Sequence, residues 1–179
     1  MTPIQRTLWD LITPRARPVA RAPKPATPRT ARKGPMAERY ERVTREMLET
    51  HAVRVHKWRS SMSGVAWQIT YKDGSVSRLI EAPRPRGPMS AAVFLHEIGH
   101  HAIGFGTYTP RCLEEYHAWK FALDTMREQG LHVTDRVLAR ERESVAYAIE
   151  KALRRGLKRL PSELTPYLER AEARRHSVR

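Results

Sequence analysis

Five consecutive residues, His96-Glu97-Ile98-Gly99-His100, carry the densest chemistry in the chain. Histidines four apart on an α-helix lie about 40° apart in projection and one turn along, so both imidazoles can converge on one ion. Glu97 lies about 100° round from His96. There it can reach a metal-bound water without binding the metal. Zn2+ brings the pKa of such a water toward ~7, and a neighbouring carboxylate can take its proton. With eight histidines in 179 residues, chance supplies only about 0.03 matches to H-E-x-x-H. The pattern therefore predicts Zn2+ as cofactor, His96 and His100 as ligands, and Glu97 as the base that activates water.

A catalytic zinc takes three protein ligands and keeps a fourth position open. Glu114, Glu115 and His117 follow on the next predicted helix, and Glu143 begins a Glu-x-x-Ala run on a later one. By themselves these residues leave the third ligand open. Peptide hydrolysis also needs a donor for the oxyanion, for which Tyr108, Tyr116, Tyr147 and His117 are candidates. Glu114 reads equally as a surface charge near a helix N-terminus. His101 is expected to face solvent, and Cys112 to be a small core residue.

The run Glu115-Tyr116-His117-Ala118-Trp119-Lys120-Phe121-Ala122, after an H-E-x-G-H helix, resembles the gluzincin metallopeptidases. The ImmA/IrrE-type family and the CAAX-protease/HtpX family show a similar Glu-x-x-Ala-Asp/Asn-x-Phe-Ala run. Chain size favours the ImmA/IrrE-like group. The resemblance covers roughly residues 90–125 and the helix–strands–helix order before them. It implies a zincin-like fold, Glu115 as the third zinc ligand, and hydrolysis of a peptide bond in an intracellular protein. Trp119 stands where the family has Asp or Asn. An alternative is a noncatalytic zincin-like protein, or a DNA-associated one of the anti-restriction or SprT-like kind.

The elements that must position these residues read as α+β. Met36, Tyr40, Val43, Met47 and Leu48 recur every three to four positions and predict a helix over 36–51. Alternating apolar residues at Val53–Trp58, Val65–Tyr71 and Val76–Ile80, with a tight turn at Asp73-Gly74, predict a three-stranded antiparallel meander. Ser90 is expected to cap the helix that carries the histidines, and Gly104 to end it. Helices are predicted over 111–129 and from Thr134-Asp135 to about Arg155. Thr165-Pro166 is expected to open a short last helix. Zincins bind extended substrate along an edge strand, and Val76–Ile80 is the expected one. Arg78, Arg84 and Arg86 beside it would favour acidic or DNA-associated substrates.

Charge divides the chain in two. Residues 1–35 hold eight cations, one anion and seven of the 13 prolines, whereas the whole chain carries +14. They predict a disordered, basic, proline-rich tail ahead of a zincin-like domain over 36–179. Within the tail, Leu8, Trp9, Leu11 and Ile12 form an apolar island. The tail suits either a solvated leader or a nucleic-acid tether. A second basic cluster at 151–159 is read as one helical face able to bind phosphate. The single cysteine excludes an intrachain disulfide and fits a reducing compartment, so the cytoplasm is the expected location. No run approaches the ~20 apolar residues of a membrane span, and no secretory signal is expected.

Overall fold

A computed structural model describes residues 34–177, with side chains to residue 174. The expectations for the proline-rich tail and its apolar island lie outside the described residues, apart from its last two positions. Pro35 is already the first residue of helix α1 (Pro35–Thr50), a position where its missing N–H costs nothing. Strands β1 (Val53–Arg59), β2 (Val65–Thr70) and β3 (Val76–Pro83) follow. Then come α2 (Pro88–Ile103), α3 (Arg111–Glu128), α4 (Asp135–Arg154), a 3-10 turn (Ser162–Tyr167) and α5 (Leu168–Ser177). Among the described residues this is an α+β chain of five α-helices and one sheet.

The sheet is mixed, not the expected antiparallel meander. Its order is β1-β3-β2, with β3 parallel to β1 and antiparallel to β2. Asp73-Gly74 does join β2 to β3 as a tight turn, with Gly74 at φ 83°. The link from β1 to β2, residues 60–64, instead carries the chain over the width of two strand spacings, about 10 Å. Five residues suffice for that, and β3 fills the gap. Burial explains why β3 takes the centre: Leu79 and Ile80, on opposite faces, are both buried. The expected edge strand at Val76–Ile80 is therefore bonded on both sides. Among the described residues β1 and β2 are the edges.

Helix α2 is the axis of the packing. Ala91–Leu95 are buried all round the helix, as a helix without a polar face must be. It packs against α3, α4, α1, β2 and β3. Phe94, Leu95 and Ile98 meet Met126, Val145 and Ile149 in one core. The helix starts earlier than Ser90: Gly87 is the N-cap and Pro88 opens the first turn. Ser90 closes the end from inside, its hydroxyl accepting from the N–H groups of Arg86 at 3.0 Å and Gly87 at 3.2 Å. Gly104, at φ 81°, ends α2 as expected. Thr134 caps α4 by accepting from the Val137 N–H. Thr165-Pro166 falls inside the 3-10 turn and does not open a helix.

Candidate metal centre

Helices α2 and α3 form an antiparallel pair joined by residues 104–110. Their approach is set by Gly99. A Cβ there would lie 2.8 Å from the Ala118 carbonyl oxygen and 3.2 Å from its Cα, so only glycine lets α3 come this close. The approach brings Glu115 to the histidine pair. Ligand atoms of His96, His100 and Glu115 all lie within 4.8 Å of one another. Glu115 Oε2 is 3.4 Å from His96 Nε2 and 3.7 Å from His100 Nε2. Hydrogen-bonded N–H···O pairs sit at 2.7–3.2 Å. Tetrahedral zinc with bonds of about 2.0–2.1 Å places its ligand atoms about 3.3–3.4 Å apart. Both Glu115 contacts are thus longer than direct hydrogen bonds, and the donor set of two imidazoles and one carboxylate suits a divalent metal.

Burial and neighbouring charge shift His100, Glu115 and Glu97. Burial, reinforced by His96, pushes His100 down to about 4, so it stays neutral. Burial pushes Glu115 up, but His96, His100 and Arg111 together outweigh it and hold the carboxyl below its usual range. Glu97 is raised to about 7 by burial, which His96 opposes and Glu115 assists.

Glu114 is not a surface charge, and it lies outside the His96–His100–Glu115 cluster. It is buried. Its Oε1 accepts from His100 Nδ1–H at 3.1 Å, and its Oε2 accepts from the Gly106 N–H at 3.2 Å. It thus orients His100 so that Nε2 faces Glu115. The signal was present in the spacing: Glu114, Ala118, Ala122 and Thr125 form one buried stripe of α3. His96 is held differently. Its ring packs on the buried indole of Trp119, centroids 4.6 Å apart. His96 Nδ1 and Trp119 Nε1 find no hydrogen-bond partner among the described residues.

The other sequence candidates lie outside the His96–His100–Glu115 cluster, although Cys112 and Glu143 line the cavity beside it. His101 does not face solvent; it is buried and donates from Nε2 to the Leu79 carbonyl at 3.1 Å. Glu143 accepts from Arg170 and Arg174 on α5. His117 stacks on Tyr108, centroids 3.8 Å apart. Cys112 is buried in the core.

The cluster opens into a cavity of about 470 Å³ between α2, α3, α4 and the 60–64 link. Glu97 lines it, as do Ser63 and Gly64. Gly64 is needed by contact: a Cβ there would lie 2.4 Å from Glu97 Oε1. Of the four oxyanion candidates only Tyr147 reaches this cavity. The cations Arg78, Arg84 and Arg86 do not line it. Those that do are Arg111, Arg140, Lys151, Arg155 and Arg174. Nor is 151–159 one helical face: α4 ends at Arg154, and Gly156 turns the chain away at φ 91°.

No protein-family model, no curated protein and no solved structure matches the chain. Among the described residues no helix is long and apolar enough to cross a membrane.

Proposed function

We propose that the chain is a zinc-dependent metallopeptidase with a zincin-like domain of the ImmA/IrrE kind, cutting a peptide bond in a cytoplasmic protein. The observation that carries this reading is the convergence of His96, His100 and Glu115 on one point with the buried Glu97 carboxyl beside them. Zinc, when bound, would supply Lewis-acid polarisation and lower the pKa of a coordinated water.

The chain's own residues divide the remaining work. His96, His100 and Glu115 hold the ion, and Glu114 and Trp119 fix the two rings. Glu97 takes a proton from water and can pass it to the leaving amine, which suits a carboxyl raised toward neutrality. Tyr147, on the cavity wall, is the candidate donor to the developing oxyanion. Strand β2 begins at Val65, next to the cavity residues Ser63 and Gly64, and has a free edge on which an extended peptide can pair. A purely structural metal site has no need of a carboxyl at position 97.

Metal analysis of the purified protein, paired with a Glu97→Gln comparison, tests the reading. About one zinc per chain, kept by Glu97→Gln while hydrolysis is lost, supports it. Stoichiometric zinc retained after both His96→Ala and His100→Ala would remove the site.

A further inference from the structure

Helix α4 forms the wall of the cavity opposite the metal cluster, and that wall is basic. Arg140, Tyr147, Lys151 and Arg155 recur at steps of seven, four and four along one face, with Ser144 and Ala148 between them, and all line the cavity. Fifteen residues of helix span about 22 Å, the length of roughly six residues of extended peptide.

This charge is not spent within the protein. Glu143 is taken up by Arg170 and Arg174, and Arg154 turns to Glu150 at 3.1 Å. Among the described residues Lys151 and Arg155 have no carboxylate partner, and Arg140 donates only to the Met62 carbonyl, at 3.4 Å. The helix dipole accounts for cations in the last turn of α4. It does not account for Arg140, in the second turn from the N-terminus. Arg111, from α3, adds a fourth cation 3.6 Å from Glu115 and largely exposed.

We propose that the cavity selects an acidic stretch of protein: Asp or Glu side chains flanking the bond at the His96–His100–Glu115 cluster pair with Arg140 and Lys151 on α4 and with Arg155 at its C-cap. This names a substrate class and rests on the peptidase reading. Nucleic acid is the poorer fit. A cavity of about 470 Å³ is too small for a duplex, and a single strand needs exposed rings on which bases stack. Tyr147 is the exposed ring on this wall, and it is already faced by the Arg174 guanidinium, 5.5 Å away.

The test uses full-length Glu97→Gln protein, which should bind without cutting. The probes are a fluorescein-labelled twelve-residue peptide with Asp and Glu at alternate positions and its Asn/Gln counterpart. Anisotropy should show the acidic peptide bound at least about tenfold more tightly. A chain of +14 attracts any anion, so location decides the matter. Adding Arg140→Gln, Lys151→Gln and Arg155→Gln should erase the preference. Adding Arg54→Gln and Lys57→Gln on β1 and Lys72→Gln in the β2–β3 turn, the same change in charge, should leave most of it. If the α4 triple variant fails to fold by circular dichroism, Lys151→Gln and Arg155→Gln singly should each remove part of the preference. Equal affinity for both peptides, or equal losses from the α4 and sheet variants, would overturn the proposal. So would an oligonucleotide of matched charge that binds more tightly and depends on the same three α4 residues. Zinc content and cleavage of unfolded casein by wild type report separately on the peptidase reading, so either idea can fail alone.

Discussion

The two walls of the cavity are built on opposite principles. On the α2–α3 side polar groups are buried and positioned: Glu114 is tied to His100 and Gly106, and His96 rests on Trp119. Gly99 removes even a methyl group from the contact with Ala118. On the α4 side the cations Arg140, Lys151 and Arg155 are exposed or half-buried, and none has a carboxylate partner among the described residues. A group that must sit within a fraction of an ångström needs a rigid, desolvated frame. A group that only supplies charge to a partner of varying shape does better on a flexible stem in water. Substitutions on the two sides should therefore differ in kind as well as in size.

The largest effects belong to the first wall. His96→Ala or His100→Ala should lose both zinc and hydrolysis, read by metal analysis and a peptide assay. Glu97→Gln should keep zinc but slow hydrolysis by about 10²–10⁴-fold, the usual contribution of a positioned base. Wild-type rates in Glu97→Gln would end the peptidase reading. Chelator competition should next rank three carboxylates. Glu115→Ala should weaken zinc binding most. Glu114→Gln should weaken it about 10–100-fold, as removal of an orienting carboxylate does. Glu143→Ala should change it little. A ranking led by Glu143 would mean that the metal sits elsewhere.

Steric tests of the frame come below these. Gly99→Ala forces a methyl against the Ala118 backbone and should cost about 1–3 kcal/mol in denaturant unfolding. Gly64→Ala should leave zinc affinity nearly intact while lowering kcat, because the methyl displaces Glu97 alone. The smallest effects belong to α4: Lys151→Gln or Arg155→Gln should raise KM for acidic peptides a few-fold, with kcat, zinc content and thermal stability unchanged. A fall in zinc content in those variants would erase the distinction between the walls.

Most element boundaries were legible because they depend on local signals. Apolar residues at helical spacing gave α1, Gly104 the end of α2, and Thr134 the start of α4. Strand order was not legible. Alternation at Val53–Trp58 and Val65–Tyr71 says that each segment is a strand, but not that β3 will come between them; that depends on which strand is buried by neighbours distant in sequence. The histidine pair stood out in sequence by residue type and spacing, Glu115 only through the resemblance of the run it opens, and the fold brings all three together. The roles of Glu114 and His101 were harder to see, since a charged residue near a helix end is usually solvated. Their burial follows from neighbours distant in sequence: the Gly106 N–H for Glu114 and the Leu79 carbonyl for His101. The cations facing the cavity could not be chosen from the sequence, because Arg84 and Lys151 differ only in which groove their element borders.

The contact between Gly64 and Glu97 has a consequence for how such a chain can vary. The two positions lie on different elements, yet the volume of one is spent on the other: a side chain at 64 and a full-length acid at 97 exclude each other. A library randomised at both positions and selected for folding alone should return many pairs, including larger residues at 64 with smaller ones at 97. Selected for hydrolysis, it should collapse to glycine with glutamate. The difference between those two outcomes would separate what this loop owes to the stability of the domain from what it owes to the acid it shelters.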